Sequence, residues 1–457
     1  MKQLPVEVGK AYDLVIEDLS HDGLGLARVD GFLIFVKDAL PGERARARII
    51  SVKKKYAYAE VLIHELTSEN RVKPACDLFD QCGGCQIQHL DYEGQLAFKK
   101  SIVVRNLQKF AGIVNPPVLD VIGMDNPWRY RNKTQVPFGR NDVGDVVAGF
   151  YKNRSHEIVD MPNCLVQSEI ADAIVDKVRQ LVVKFDIEPY DEKAGHGSLR
   201  HVVIRKGFKT GEVMVIFVTR TQAFPYQNEV VSALIQDFPS VKSMAHNVNP
   251  KVTNVIFGEE TKIIYGASHI TDGLDGLRFL ISPRSFYQVN PVQTEVLYQK
   301  ALAYAEVGKD DVIFDAYCGI GTITLFLARK AKKVYGVEIV PDAILDARRN
   351  AELNNLDNVT FEVGKSEVVI PKWVKAGVRP DVIVVDPPRK GCDSTLLATM
   401  IQAKPTKIVY VSCDSATLAR DVKILSEGGY QLEMVQPVDL FPMTSHIENV
   451  ACLIKVE

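Results

Sequence analysis

The chain has no apolar run approaching the ~20 residues that a membrane-crossing helix requires, so no such helix is expected. Its start, MKQLPVEVGKAYDLVIED, has no apolar core segment and carries acids early, which argues against a secretory leader. A cytoplasmic location is the expectation, with no membrane partner. An excess of charge of either sign is also missing: 55 Lys and Arg stand against 57 Asp and Glu, for a formal net charge of −2. The whole molecule therefore does not advertise a polyanionic partner, and any case for nucleic acid must rest on local patches. There is no internal repeat and no low-complexity segment. The eight cysteines are not expected to form disulfides in a reducing compartment. Clusters among them read as metal or redox chemistry, and single ones as small buried hydrophobes.

What is present is a globular composition, 46% hydrophobic and 25% charged over 457 residues, long enough for two or three domains. Residues 1–70 read as short strands (AYDLVIEDLS, GLARVDGFLIFV, ERARARIISVKKK, YAYAEVLIHEL) punctuated by HDGLG, DG and PG. The pattern predicts a five-stranded barrel of the kind that holds single-stranded nucleic acid. Arg44, Arg46, Arg48, Lys53, Lys54 and Lys55 face a single acid, Glu43, within this stretch, and Tyr56 and Tyr58 add aromatic faces beside them. The piece resembles a TRAM domain, an RNA-binding barrel of the OB type.

Residues 71–270 read as a mixed α+β domain. It opens on a cysteine-rich loop, continues through a helix over about 92–115 that is expected to pack on the last domain, and includes the strands WRYRNKTQVPFG, HVVIRKGF and GEVMVIFVTR. Residues 271–457 alternate strand and helix: DVIFDAYCG, KVYGVEI, NVTFEVG, DVIVVDPP and KIVYVSC are separated by helical patterns. That alternation predicts a parallel, Rossmann-like sheet and an α/β class overall.

Within the last domain, Asp315-Ala316-Tyr317-Cys318-Gly319-Ile320-Gly321 follows a strand and opens a helix, and Glu338 closes the next strand. Such a turn lets the backbone approach a ligand, and such an acid can accept both ribose hydroxyls. A dinucleotide fingerprint would want glycine at position 324, which is Thr, so S-adenosylmethionine (SAM) is favoured over NAD. Asp386-Pro387-Pro388-Arg389 then ends a further strand at the edge where doubly wound sheets bind ligands.

Cys413 ends the strand KIVYVSC on that edge, with Ser412 and Asp414 beside it. Glu448 precedes the final apolar strand, with His446 two residues away on the same side if the segment is extended. A thiolate, a base and SAM at one place are what methylation of a pyrimidine at carbon 5 requires, because that carbon becomes nucleophilic only after addition at carbon 6.

From Ser285 to the end the chain resembles the RNA uracil-5-methyltransferase family, whose members modify tRNA or 23S rRNA. The resemblance is carried by SFYQVN at 285–290, DAYCGIG at 315–321, DPPRKG at 386–391, YVSCD at 410–414, DLFP at 439–442 and HIE at 446–448. It implies Cys413 as nucleophile and Glu448 as the base that removes the carbon-5 proton. It also implies Gln288, Tyr317, Glu338 and Asp386 as cofactor positions, with Phe286 and Asp386 touching the uracil. Ser415 and Met443 depart from the family's usual residues, which bears on the substrate loops and not on the chemical groups. A cytosine-5 enzyme would carry Cys directly after the paired prolines, where this chain has Arg389.

Cys76, Cys82 and Cys85, with Gly83 and Gly84 between them, form a compact set to which Cys164 is the nearest fourth ligand in sequence. Four thiolates suit zinc or a [4Fe–4S] cluster, and the spacing alone leans to zinc. The resemblance implies the cluster instead and points to 23S rRNA as the substrate of a chain acting as a monomer. A tRNA enzyme and a non-catalytic iron–sulfur RNA-binding protein are the alternatives.

Overall fold

The computed structural model describes residues 4–153 and 155–456. The N-terminal sheet has six strands, Ala11–Val15, Asp18–Leu19, Gly25–Val29, Phe32–Lys37, Arg44–Val52 and Tyr56–Leu66, where the sequence pattern suggested five. The run AYDLVIEDLS supplies two of them because it breaks at Ile16 and Glu17. That break closes the barrel. Ile16 N–H donates to Glu43 O at 3.0 Å, and Glu17 N–H donates to Leu26 O at 2.7 Å, so one run pairs with different neighbours on its two sides. Period-2 alternation buries Ala45, Ala47 and Ile49 while Arg44, Arg46 and Arg48 stay exposed.

The middle sheet has seven strands, and its spatial order runs Glu260–Gly266, Val241–Val248, Val213–Thr219, Leu199–Lys206, Lys133–Arg140, Val146–Tyr151, Ile158–Asp160. Helices Glu169–Lys184 and Gln227–Asp237 cover one face through a shared apolar core. The expected strand WRYRNKTQVPFG begins only at Lys133. Arg129 has a left-handed φ of 55°, and its guanidinium donates to Cys164 O at 2.7 Å and Asp172 Oδ2 at 2.6 Å. Those bonds satisfy the chain outside the ladder.

The C-terminal sheet runs Val359–Val363, Lys333–Glu338, Val312–Ala316, Val382–Val385, Lys407–Ser412, Glu448–Lys455, Tyr430–Val438. Its first five strands are parallel, and Glu448–Lys455 is antiparallel to both of its neighbours. The expected α/β class with a Rossmann-like C-terminal fold is thus found. The reversal has a chemical consequence: a strand running against its neighbours begins where they end. Ser412 therefore pairs with Asn449, and Glu448 reaches the same edge as Cys413. The helix expected over 92–115 is Tyr92–Asn106 followed by a π turn, Leu107–Ala111, closed by Gly112 at φ 74°. It packs on the helix Ser415–Glu427.

Candidate active site

One cavity of about 1190 Å³ lies along this edge and is lined by Gln288, Tyr317, Glu338, Asp386, Cys413 and Glu448 among others. Each side chain arrives for a local reason. Tyr317 takes a left-handed φ of 68° at the strand-to-helix turn, and Gly319 and Gly321 continue it at 55° and 84°. Glu338 ends its strand and accepts from Gly319 N–H at 3.3 Å and Val340 N–H at 3.0 Å. Ile339 follows it with 56% of its surface exposed, an apolar face on the cavity wall. Thr324 is fully buried, and its hydroxyl donates to Asp315 Oδ2. The residue that broke the dinucleotide pattern thus ties the helix Thr322–Ala328 to the strand Val312–Ala316.

Cys413 is half-buried between its strand and the helix Ser415–Glu427. Asp414 caps that helix, accepting from Ala416 and Thr417 N–H at 2.9 and 3.0 Å. Ser412 Oγ accepts from Asp414 N–H at 3.1 Å and fixes the turn. Burial pushes the Cys413 thiol up to about 11, the neighbouring Glu448 and Asp386 carboxylates add to this, and Arg389 opposes it. The helix N-terminus adds a favourable field for a thiolate.

Glu448 is buried, with Oε2 lacking any hydrogen-bond partner among the described residues. Burial and then Asp386 hold its carboxyl well above the ordinary range, and burial brings Asp386 up to about 7. His446 lies two residues before Glu448, just ahead of the strand, and lines the same cavity. Gln288 is buried while Phe286 is 63% exposed on the cavity wall. Their loop is anchored to the middle sheet, where Asn132 Nδ2 donates to Gln288 O at 2.8 Å and Arg205 donates to Ser282 O at 2.7 Å.

Cys76, Cys82, Cys85 and Cys164 line one smaller cavity of about 170 Å³. Gly84 N–H donates to Cys82 Sγ at 3.4 Å. A Cβ at Gly83 would stand 3.0 Å from Tyr151 O. Among the described residues no three His, Cys, Asp or Glu side chains are set to hold a single metal ion. Burial pushes the Cys85 thiol up to about 12 and that of Cys164 to about 11.

The basic strand differs from its sequence reading in one respect. Glu43, the one acid assigned to face the cations, is fully buried and points away from them. It bonds Arg71 Nε at 2.6 Å, Leu40 N–H at 2.8 Å and Ser68 N–H at 3.1 Å. The outward arginines meet other acids: Arg46 lies 3.4 Å from Asp13, and Arg48 Nε donates to Glu60 at 3.0 Å. Lys53, Lys54 and Lys55 stay exposed in the turn. Phe35 joins Tyr56 and Tyr58 with all three ring centroids 5.5–5.6 Å apart. This three-ring platform was not legible in sequence because Phe35 sits on a different strand.

Sequence reasoning also missed Arg131, which lines both the large cavity and the cysteine cavity. It missed the connection between cysteine loop and catalytic segment as well: Gln86 and Ile87 N–H both donate to Met443 O, at 3.1 and 3.2 Å.

Comparison with known proteins gives a consistent set of likenesses. A TRAM domain model matches residues 5–62, and a methyltransferase domain model matches residues 308–423. An uncharacterized RNA methyltransferase of Bacillus cereus is 52% identical over 453 residues, 99% of this chain and 98% of the relative. One from Listeria innocua is 53% identical over 444 residues, 97% of each. Among solved structures, the tRNA (uracil-54, C5)-methyltransferase of Pyrococcus abyssi, in complex with S-adenosyl-L-homocysteine, superposes with a TM-score of 0.76. It is 29% identical to this chain, and the match covers 97% of this chain and all of that one.

Proposed function

The chain belongs to the RNA uracil-5-methyltransferase family, and from that premise we propose that it methylates carbon 5 of a uridine in 23S rRNA. The observation that carries the reading is the meeting of Cys413, Glu448 and Asp386 on the wall of one cavity that Glu338 also lines. The cavity suits a nucleoside cofactor. Glu338 offers carboxylate oxygens to a ribose, Ile339 an apolar face to a purine, and Gln288, Tyr317 and Asp386 the remaining wall. SAM, when bound there, supplies an electrophilic methyl group.

The protein's own residues account for the rest. Phe286 presents an exposed ring on which an extruded base can stack. The Cys413 thiol gives its proton to solvent, aided by Arg389 and the helix N-terminus, and Sγ bonds carbon 6 of the uracil. The displaced π electrons make carbon 5 nucleophilic. After methylation, the Glu448 carboxylate removes the carbon-5 proton, the carbon–sulfur bond breaks, and its electron pair returns to Cys413 Sγ. The surroundings that hold the Glu448 carboxyl above the ordinary range make its ionised form the stronger base, and the proton it takes passes to solvent before the next turnover.

Arg44, Arg46, Arg48 and Lys53–Lys55 on the barrel are the proposed backbone contacts. For Cys76, Cys82, Cys85 and Cys164 the proposal is a [4Fe–4S] cluster and not zinc. A cuboidal cluster keeps its thiolates farther apart than a single ion does, and four thiols line one void here. No step of the methylation uses it.

The tRNA substrate named for the Pyrococcus structure supplies the rival reading. Transfer from methyl-labelled SAM to 23S rRNA and to tRNA decides between them. The expected product is 5-methyluridine in 23S rRNA from the wild type and none from Cys413→Ala. Label in tRNA alone selects the rival, and undiminished activity in Cys413→Ala overturns the covalent mechanism.

A further inference from the structure

A second cavity, of about 500 Å³, adjoins the catalytic one on the side of the middle sheet. Arg131 and Val289 line both. Its other walls include Lys133, Gln135, Tyr151, His201 and Asn254. Lys133 opens the strand Lys133–Arg140 and is half-buried. Its charged neighbours are Arg205 and Arg131, and no carboxylate acts on it among the described residues. Burial, then those two guanidinium groups, push its ammonium down to about 8. Arg205 is already committed to the carbonyl of Ser282. His201 is 7% exposed, and its Nδ1 is buried without a partner. The one acid on the wall, Glu192, lies 2.8 Å from His156 Nδ1.

A half-buried ammonium with two guanidinium groups beside it and no carboxylate acting on it is costly. Such a group is compatible with folding where a ligand brings the missing anion. A strand whose uridine occupies the catalytic cavity carries a phosphate on each side of that nucleotide, within reach of the shared wall. We propose that this second cavity holds the backbone phosphate of a nucleotide adjoining the target uridine, against Lys133 and Arg131, with His201 Nδ1 bonding the same nucleotide. The site would therefore select the path of the RNA strand and not the identity of the methylated base. This proposal rests on the RNA-methylating function given above.

The test uses the full-length protein and a fluorescent RNA oligonucleotide with one target uridine, compared with the same oligonucleotide carrying an uncharged methylphosphonate linkage on either side of it. For Lys133→Gln we expect about tenfold weaker binding by anisotropy. The slope of log affinity against log salt should fall by about 0.7, the value of one single-strand phosphate contact. Lys133→Arg should keep most of the affinity, and unchanged SAM binding by Lys133→Gln shows that the variant is folded. One of the two neutral linkages should weaken the wild type clearly more than it weakens Lys133→Gln, which keeps only the Arg131 contact. Equal affinity and salt slope in wild type and Lys133→Gln would overturn the proposal, as would a linkage effect of the same size in both. A wild type that binds through Lys133 yet makes no 5-methyluridine would overturn the proposed function while supporting the phosphate site.

Discussion

Lys99 Nζ lies 2.6 Å from Asp439 Oδ1, and both side chains are fully buried. The pair joins the helix Tyr92–Asn106 to the segment that leads into Glu448. Lys99 also donates to Phe441 O at 3.1 Å, Tyr92 donates to Asp439 Oδ2 at 3.0 Å, and Gln95 Oε1 accepts from Met443 N–H at 3.0 Å. Burial pulls the Lys99 ammonium down and Asp439 pulls it back up. Removing one partner of such a pair leaves the other charge uncompensated. Lys99→Met should therefore cost about 3–5 kcal/mol, measured by denaturant unfolding. Adding Asp439→Asn should recover part of that loss; a double variant no more stable than Lys99→Met would show that the pair is not the source.

Glu448→Gln should separate the two halves of the reaction. The amide cannot take the carbon-5 proton, so a protein–RNA adduct is expected as a slow band on a denaturing gel, absent when Cys413 is replaced. The same variant bears on stability. A carboxyl raised well above its unfolded value of 4.5 favours folding below about pH 4.5, and that contribution is lost as pH climbs toward the raised value. Glu448→Gln is accordingly expected to melt higher than wild type at pH 8, with the gap closing near pH 4.

In the ligand-free protein the Cys413 thiol, at about 11, is almost wholly protonated at neutral pH. Alkylation of Cys413 by iodoacetamide should rise about tenfold per pH unit between 7 and 10, read by mass spectrometry of the peptide. Arg389→Gln removes a cation that favours the thiolate, so alkylation should be slower at every pH in this range. A plateau near pH 7 would mean that the thiolate is stabilised by something other than Arg389.

The cysteine cavity gives a spectroscopic prediction. Anaerobically purified protein should be brown, absorb near 400 nm and carry about four irons per chain. Cys85→Ser should lose the colour. Zinc at unit stoichiometry without iron would remove the cluster.

Much of the candidate site was legible in the sequence because it is written in short, local patterns. DAYCGIG after a strand, an acid closing the next strand, DPPR and a strand-end cysteine each declare a residue at a sheet edge. Alternation along ERARARIIS declared which arginines face outward, and those arginines are exposed in the fold. The patterns were less informative about pairing. They could not tell that Ile16 and Glu17 divide one apolar run between two neighbours, or that Arg129 leaves the ladder before Lys133.

What sequence alone determined, then, is residue type, period and the ends of elements, since each of these depends on neighbours within a few positions. The tertiary structure decided what depends on residues far apart in the chain. Cys413 and Glu448 meet because the last strand runs backwards beside Lys407–Ser412. Glu43 binds Arg71 and not the basic strand, Phe35 joins two tyrosines, and Lys99 finds Asp439 across 340 positions. The height of the Cys413 and Glu448 proton affinities belongs to the second class as well, because burial is a property of the folded molecule and not of the residues next in line.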